Sequence, residues 1–360
     1  MKSFFIIVPA LNPTGPVKGA IALANGIISD REVVIVSVKK SSEKSTLLKE
    51  LNSRVKHICL NELSSNYLGK IKEYQKILKI AGSREKVASI SYCFSADLIN
   101  LFCKKHSLTC SSLRGDIEVN YRHDYGRISI LLTYFHFFIL RWFDIVVAMN
   151  NSMFQQIKSK SGVEPVIICN FINEIPYKNF PSTLNITKPL SFVFVGTLSS
   201  RKKPMLLLKA LSKLHNKGEM AILNIIGSGP MFQILELEIE RLKLKNYVNL
   251  YGFLNNPLKI IVDADVMVLP SLAEGTPRAA LEALYFGIPC VLRNTGGNGE
   301  LISEGKNGAL FNHDSELVDA MIRAVTLSQR EVERKSLLPE NFGQNYAAKQ
   351  YIEFLECNND

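Results

Sequence analysis

The sequence predicts an α/β protein with two doubly wound domains, each a parallel sheet with helices on both faces. Its 360 residues exceed the usual size of one domain, and 47% of them are hydrophobic. Short apolar runs alternate with helical patterns along both halves of the chain, which is typical of parallel sheets. A polar, proline-containing stretch over 171–189 separates the two series. We therefore expect one domain over 1–170 and a second over 190–341.

The first domain begins with an apolar strand over 4–8, followed by a turn that contains two glycines before a helical pattern. Because glycine has no side chain beyond Cα, Gly15 would let the backbone approach a ligand at the carboxyl end of this strand. The prolines beside it fit a plain turn equally well. The pattern leaves open whether a final helix, at about 342–357, packs back on this domain.

The net charge of +10 comes entirely from the first half of the chain. Residues 1–180 hold 24 Lys and Arg against 14 Asp and Glu, whereas residues 181–360 hold 19 of each kind. A basic half suggests contact with an acidic surface, either anionic lipid headgroups or nucleic acid. A merely soluble basic face explains the same counts. Since no nucleic-acid recognition motif accompanies the charge, we expect no nucleic-acid partner.

The most apolar stretch, residues 128–143, predicts a buried helix or one that lies in a lipid interface. It is apolar on nearly all sides, and Tyr134, Arg141 and Trp142 suit headgroup depth. Burial is the slightly favoured interpretation. Within the stretch, His136 fits a packed core residue. By contrast, His123 lies in a polar segment and is a candidate to face a cleft.

Cysteine usage and the apolar runs predict a cytoplasmic protein. The seven cysteines are odd in number, irregularly spaced and without a CxxC pair, which indicates free thiols and neither disulfides nor a metal site. The apolar start of the chain lacks a long hydrophobic region and a small-residue cleavage site, so we expect a strand there and not a signal peptide. No run reaches the roughly eighteen charge-free apolar residues of a spanning helix.

Arg114 follows a predicted strand over 108–113, at the sheet edge where such folds place functional groups. Its guanidinium carries a fixed charge and a forked set of donors that suit phosphate or carboxylate. A lone arginine at a strand end is more often structural than functional. We nevertheless retain Arg114 as a candidate catalytic residue.

The second domain is organised around a loop and helix start over 274–284, which an apolar strand-like run precedes. Thr276 offers an N-cap oxygen and Pro277 a preset φ at the first helical position, so we expect a helix to begin there. Its first turn suits an anionic ligand such as a diphosphate. Glu274 in the loop and Glu282 on the helix are placed to accept hydrogen bonds from sugar or ribose hydroxyls. Two solvated glutamates on an ordinary βα unit fit the spacing alone equally well.

With its neighbours, this loop resembles the donor-binding half of retaining GT-B glycosyltransferases of the glycosyltransferase 4 type. The resemblance covers about residues 190–312. The elements that carry it stand in order along the chain: Phe194-Val195-Gly196-Thr197-Leu198 with Arg201-Lys202-Lys203, Ile225-Ile226-Gly227-Ser228-Gly229-Pro230, Leu269-Pro270-Ser271, Glu274-Gly275-Thr276-Pro277, Gly287-Ile288-Pro289, Gly296-Gly297, and Gly305 to Gly308. One such motif would be weak, but the ordered set argues strongly against two merely solvated glutamates.

The resemblance implies two Rossmann-like domains that face a central cleft, with the nucleotide sugar held mostly by the second. It implies that Glu282 binds the ribose, that Glu274 binds the donor sugar, and that Arg201 with Lys202 or Lys203 neutralises the diphosphate. The implied catalytic residues are Glu274, Arg201, Lys202 and Arg114, and the implied donor-binding residues are Gly15, Gly196, Lys203, Gly229, Phe253, Gly275, Thr276, Pro277, Arg278 and Glu282. Fixed cations and a helix N-terminus would stabilise the leaving group without a metal or other cofactor.

Two positions depart from the family pattern. Thr197 stands where members often carry an arginine, so phosphate binding would depend more on the cluster from Arg201 to Lys203. Arg114 stands at a strand end where many members carry a histidine near the reacting sugar. No general base is therefore identifiable, and we expect a front-face route in which the leaving phosphate accepts the acceptor's proton.

Together these features predict a hexosyltransferase that moves a sugar, with retention, from a UDP- or GDP-linked donor. The acceptor would be lipid-linked or a polysaccharide of the O-antigen, capsule or exopolysaccharide type. We expect a peripheral protein at the cytoplasmic face of a bacterial inner membrane, with the anionic membrane surface as a partner. Two alternatives remain open, a nucleotide-sugar 2-epimerase of the same architecture and a non-catalytic partner of another glycosyltransferase.

Overall fold

The computed structural model contains two compact units, each built on one parallel sheet. The first unit comprises Met1–Asn179 and Glu340–Asp360, and the second comprises Phe180–Pro339. The residues that the structure describes are 3–29, 31–41, 47–83, 86–174, 177, 189–328 and 334–357, without the side chains of residues 120, 123–125 and 127. Most of the predicted linker over 171–189 and the side chain of His123 therefore lie outside the described residues.

The first unit has a seven-stranded parallel sheet. Its strands are β1 (Ser3–Val8), β2 (Glu32–Ser37), β3 (Lys56–Cys59), β4 (Val87–Tyr92), β5 (Leu108–Ser112), β6 (Ile145–Ala148) and β7 (Val166–Ile167). They lie in the order β3-β2-β1-β4-β5-β6-β7. The order reverses between β1 and β4, and ligands of doubly wound sheets bind at such a point, outside the carboxyl ends of the strands.

Helices cover both faces of this sheet. They are α1 (Gly15–Ile27), α2 (Leu60–Leu63), α3 (Tyr67–Gly82), α4 (Phe94–Asn100), α5 (Ile117–Tyr125), α6 (Ser129–Ile139) and α7 (Asn151–Ser161). On one face, Phe4 and Ile6 of β1 pack with α1, while on the other face Phe5 and Ile7 pack with α3 and α4. Because β1 is buried on both sides, its sequence is continuously apolar and does not alternate.

The second unit has a six-stranded parallel sheet. Its strands are β8 (Leu190–Val195), β9 (Ala221–Ile226), β10 (Val248–Gly252), β11 (Val266–Leu269), β12 (Cys290–Arg293) and β13 (Gly308–Phe311), and its helices are α8 (Pro204–Asn216), α9 (Phe232–Arg241), α10 (Leu258–Val262), α11 (Arg278–Tyr285), α12 (Asn298–Leu301) and α13 (Leu317–Val325). The strand order β10-β9-β8-β11-β12-β13 reverses between β8 and β11. Two doubly wound units confirm the predicted α/β class.

The last helix, α14 (Gln344–Cys357), belongs to the first unit. Ala348 and Tyr351 of α14 join the core that α1 forms with the sheet. The two helices approach closely because Gly26 of α1 has no side chain, and a Cβ there would lie 2.9 Å from Cβ of Ala348. The final helix thus packs on the first unit.

The apolar stretch over 128–143 forms α6 and its flanking turns, with one buried and one exposed face. His136 is buried, and its ring bonds Asp97 Oδ2 at 2.9 Å and the Tyr121 hydroxyl at 2.8 Å. The exposed apolar and aromatic side chains are Ile128, Ile130, Leu131, Tyr134, Phe135, Phe138 and Trp142. The prediction of a packed His136 is confirmed, whereas burial, the slightly favoured interpretation, holds for only one face of the helix.

Two further features of the described residues bear on the predictions. The seven cysteines are all free thiols. Among the helices described, none combines the length and the apolar composition that crossing a membrane requires.

Candidate functional site

Two loops meet where the strand order of the second unit reverses. The loop after β8 runs over 196–203, and the loop after β11 runs over 270–277. The Leu272 N–H donates a hydrogen bond to the Arg201 carbonyl at 2.8 Å, which links the two loops directly. The predicted cations and the predicted carboxylate of the donor site therefore come together at one edge of the sheet.

Glu274 lies between two of these cations. Lys202 Nζ bonds Glu274 Oε1, and Arg201 Nη1 lies 3.9 Å from Glu274 Oε2. Arg201 also donates to the Ala273 carbonyl. The side chains of Glu274 and Lys202 are 9% and 14% exposed, whereas that of Arg201 is 43% exposed. A buried carboxylate is thus held in a fixed position beside an arginine that remains open to an anionic ligand.

Lys203 points to a different partner from its neighbour Lys202. Its backbone is left-handed, with φ of 49°, and Pro204 then begins α8. Its ammonium pairs with the carboxylate of Asp314, which also pairs with Arg293. The hydrogen bond from Lys203, with support from Arg293, holds the pKa of Asp314 below its ordinary value. The sequence left open which lysine accompanies Arg201, and the structure places Lys202 beside Glu274.

The helix after this loop begins one residue later than we predicted. Pro277 is the N-cap residue of α11 and Arg278 its first residue, so the expected capping by Thr276 with Pro277 as first helical residue is wrong. Pro277 has φ of −72°, which fits a helix, but its ψ of 120° is extended. Glu282 lies one turn into the helix and is partly buried. The helix N-terminus still follows the loop that carries Glu274.

Two glycines of the loop after β12 pack against the backbone of the loop that contains Glu274. Gly296 has φ of 53°, and a Cβ there would lie 1.8 Å from the Glu274 carbonyl oxygen. Gly297 N–H donates to the Gly275 carbonyl at 2.8 Å. Only glycine fits this close approach, because a larger residue would displace the backbone of Glu274.

Gly196 and Gly229 lie in the loops after β8 and β9, which pack against each other. Gly229 has φ of 153°, and a Cβ there would lie 2.5 Å from the Leu198 carbonyl oxygen. The Leu198 N–H donates to the Ser228 carbonyl at 2.9 Å. After β10, Phe253 is 69% exposed. The loop backbones are thus closely packed, with an aromatic side chain available for stacking in the same unit.

Gly15 and Arg114, two predicted site residues, lie in the first unit. Gly15 is the first residue of α1, directly after the loop that follows β1. Arg114 Nη2 donates to the hydroxyls of Tyr92 at 3.0 Å and Tyr351 at 2.8 Å. Its guanidinium lies 5.0 to 5.9 Å from the ring centres of Tyr92, Phe171 and Tyr351. Arg114 therefore ties α14 to the sheet, and its catalytic role stays a prediction.

Sequence reasoning missed Arg293 and Asp314. Arg293 ends β12, and Asp314 follows β13. The signal was present, since a buried arginine closing an apolar strand calls for acceptors nearby. Within the described part of the chain, no three His, Cys, Asp or Glu side chains form a group that could hold a metal ion.

The second half of the chain is similar to known glycosyltransferases. Residues 177–345 match the family described as Glycosyl transferases group 1. The chain is 30% identical over 177 residues to the UDP-Gal:alpha-D-GlcNAc-diphosphoundecaprenol alpha-1,3-galactosyltransferase of Escherichia coli, covering 45% of this chain and 46% of that protein. It is also 30% identical over 173 residues to the GalNAc-alpha-(1->4)-GalNAc-alpha-(1->3)-diNAcBac-PP-undecaprenol alpha-1,4-N-acetyl-D-galactosaminyltransferase of Campylobacter jejuni, covering 47% and 46%. The chain thus spans about half the length of the curated relatives it matches.

A solved structure extends the similarity to nearly the whole chain. The fold resembles that of Anabaena Alr3699/HepE in complex with UDP, with a TM-score of 0.74, over 99% of this chain and 100% of that one. At 16% sequence identity, this similarity concerns the fold alone. It confirms the predicted GT-B class. Residues 177–345 therefore match the Glycosyl transferases group 1 family, within a chain that has the GT-B fold.

Proposed function

We propose that the protein is a retaining glycosyltransferase of the glycosyltransferase 4 type, which moves a sugar from a nucleotide donor to a lipid-linked or polysaccharide acceptor. One observation carries the proposal. The largely buried Glu274 carboxylate lies beside Lys202 and the exposed Arg201, at the point where the strand order of the second unit reverses. A carboxylate for sugar hydroxyls and cations for a diphosphate are the groups that this reaction requires.

In this reaction the bond between C1 of the sugar and the diphosphate oxygen breaks, and a bond from C1 to an acceptor hydroxyl oxygen forms on the same face. The acceptor's proton passes to the departing phosphate oxygen, so no protein base is required. Arg201 and the N-terminus of α11 stabilise the negative charge that develops on the diphosphate. Glu274 holds the sugar hydroxyls, and Glu282 holds the ribose.

UDP is the first nucleotide to test. The name of the Escherichia coli relative contains UDP-Gal, and the Anabaena structure holds UDP. Phe253 offers an exposed ring on which a base can stack, and GDP is the second candidate. We also propose that the donor needs no metal ion, because Arg201 and Lys202 supply positive charge beside Glu274.

The proposal is tested by the release of nucleoside diphosphate from UDP-galactose, UDP-glucose, UDP-N-acetylglucosamine and GDP-mannose. We expect release from one of them that depends on an acceptor such as diphosphoundecaprenol-linked N-acetylglucosamine and that persists in EDTA. Conversion of a UDP-sugar to its 2-epimer without an acceptor would favour the epimerase alternative. Absence of both reactions, with every donor, would contradict enzymatic function and favour a non-catalytic partner.

We further propose that the exposed face of α6 binds the cytoplasmic face of an anionic membrane, where a lipid-linked acceptor would lie. With its flanking turns, this face presents seven exposed apolar or aromatic side chains, among them Leu131 at 73% and Tyr134 at 68% exposure. The exposed Arg141 lies 5.8 Å from the ring centre of Phe138. Aromatic rings with a bordering cation suit the headgroup region, and the excess basic charge of residues 1–180 favours anionic lipid.

Substitution of Leu131 by glutamate should weaken sedimentation with phosphatidylglycerol vesicles at least about tenfold, because a carboxylate would enter the apolar and anionic interface. The matched control is Leu237→Glu, since Leu237 of α9 is 69% exposed and lies in the other unit. Equal binding by the wild type and both variants would contradict the role of α6. No binding by the wild type at low salt would contradict membrane association altogether.

A further inference from the structure

We propose that Arg293, Asp314 and Lys203 form a positioning relay that holds Glu274 and Lys202 in place, and that Lys203 is not itself a ligand of the diphosphate. This inference rests on the proposed function, because it assigns tasks within the proposed donor site. The three residues come from the end of β12, from the segment after β13 and from the turn before α8. They are distant in sequence, yet their side chains form one continuous chain of ion pairs.

Arg293 is the centre of the relay. Arg293 is 8% exposed, and its guanidinium lies 4.8 Å from the ring centre of Phe311. Nε donates to the Pro270 carbonyl at 3.2 Å, and Nη1 donates to the Asn312 carbonyl at 2.9 Å. Nη2 pairs with Asp314 Oδ1. The rigid, planar guanidinium therefore joins the end of β12 to the segments that follow β11 and β13, which a flexible lysine ammonium would not do.

Asp314 links Arg293 to the turn before α8, which carries Arg201, Lys202 and Lys203. One oxygen of its carboxylate pairs with Arg293, and the other pairs with Lys203 Nζ. Lys203 has a left-handed backbone, and its N–H donates to the Ser200 carbonyl at 3.3 Å. Because Lys203 is anchored in this way, the preceding residue, Lys202, is directed to Glu274.

Arg293 also holds the start of the loop that contains Glu274. Pro270 begins this loop and accepts from Arg293, while Leu272 donates to the Arg201 carbonyl at 2.8 Å. Thr295 Oγ1 donates to the Leu272 carbonyl at 3.2 Å. Hydrogen bonds thus fix the backbone at Pro270 and Leu272, four and two residues before Glu274. The bond at Pro270 comes from Arg293 of the relay.

The relay gives the consecutive basic residues different tasks. Lys203 already has its charge paired with Asp314, and Lys202 has its charge paired with Glu274. Arg201 has the most exposed side chain of the three, at 43% against 14% for Lys202 and 28% for Lys203. An incoming diphosphate would therefore meet Arg201 first, while Lys203 acts through the position that it gives to its neighbours.

The direction in which Asp314→Asn changes UDP affinity distinguishes a positioning role of Lys203 from direct binding of the diphosphate. We expect Asp314→Asn and Lys203→Met each to weaken UDP binding about five- to tenfold by calorimetry, and the double variant to be no weaker than either single variant, because the residues act as one unit. If Lys203 contacts the diphosphate, Asp314→Asn would instead strengthen UDP binding by releasing the lysine, and only Lys203→Met would weaken it. That result would overturn the relay.

The matched control is the pair Lys217 and Asp319, a more exposed lysine–aspartate ion pair of the same unit, at 3.4 Å. Lys217→Met and Asp319→Asn should leave UDP affinity unchanged. An equal loss of affinity in the control pair would overturn the relay, because the effect would then follow from charge alone.

Amide hydrogen exchange without ligand tests the relay independently of the proposed function. Asp314→Asn should raise the exchange rates of residues 199–203 and 271–275 several-fold, with little change in melting temperature, since Asp314 is 45% exposed. Arg293→Met should raise exchange in the same two segments, and Arg293→Lys should not restore the wild-type rates. Unchanged exchange in both segments would overturn the relay. If the wild type binds neither UDP nor GDP while exchange rises as expected, the proposed function fails and the structural relay stands.

Discussion

Replacement of Glu274 by alanine is expected to lower sugar transfer by about 10²- to 10³-fold, the usual cost of removing one fixed polar group that stabilises a transition state. The carboxylate is 9% exposed and is held by Lys202, so it is already oriented before a donor binds. Its loss removes the hydrogen-bond acceptors for the sugar and leaves the Lys202 ammonium without its partner in Glu274. Turnover at saturating donor measures the effect.

Two further variants locate the cause of that loss. Glu274→Gln keeps the size of the side chain but removes its charge, and we expect it to recover only a small part of the activity. Glu238→Ala is the control, because Glu238 pairs with Arg241 of the same helix, α9, and belongs to neither of the two loops. Turnover of Glu274→Ala within about twofold of Glu238→Ala would show that the site lies elsewhere.

Replacement of Arg114 by alanine is expected to destabilise the protein by about 3 kcal/mol, as for other losses of a buried, hydrogen-bonded charge. The substitution removes hydrogen bonds to Tyr92 and Tyr351 and the contacts with three aromatic rings. It also leaves a space between the sheet and α14. Urea unfolding followed by tryptophan fluorescence and circular dichroism measures the change.

A companion variant separates stability from catalysis. Tyr351→Phe keeps the ring but removes the hydroxyl that bonds Arg114 and Ser112, so we expect a smaller loss, of about 1 kcal/mol. Arg114→Ala with unchanged stability would contradict the structural role. A low turnover of Arg114→Met at a temperature where it is fully folded, with normal turnover of Tyr351→Phe, would support the predicted catalytic role of Arg114.

The sheets were the most predictable part of the structure. Strands buried on both faces are rich in apolar residues, so a run such as 266–269 stands out between polar turns and coincides with β11. The order of glycines, glutamates and basic residues then indicated the loops after β8 and β11. The start of α11 was missed by one residue because the φ of Pro277 suits both the N-cap and the first helical position.

Tertiary contacts decided what the sequence pattern could not. The direction of Lys203 depends on Asp314, which lies 111 residues further along the chain. Arg114 ends a strand whether it faces a ligand or Tyr351, which lies 237 residues later. The stretch over 128–143 is apolar on nearly all sides, so periodicity could not show that His136 bonds Asp97 while the opposite face of the helix is exposed.

The central claim is that the second unit binds a nucleoside diphosphate beside Glu274 and Arg201. Titration of the full chain with UDP, with GDP and with the corresponding nucleosides tests this claim most directly. We predict saturable binding of one nucleoside diphosphate, at least about tenfold tighter than its nucleoside, because the diphosphate gains charge-assisted hydrogen bonds. Arg201→Ala should abolish that difference. Binding of neither diphosphate, or equal binding of a diphosphate and its nucleoside, would contradict the account.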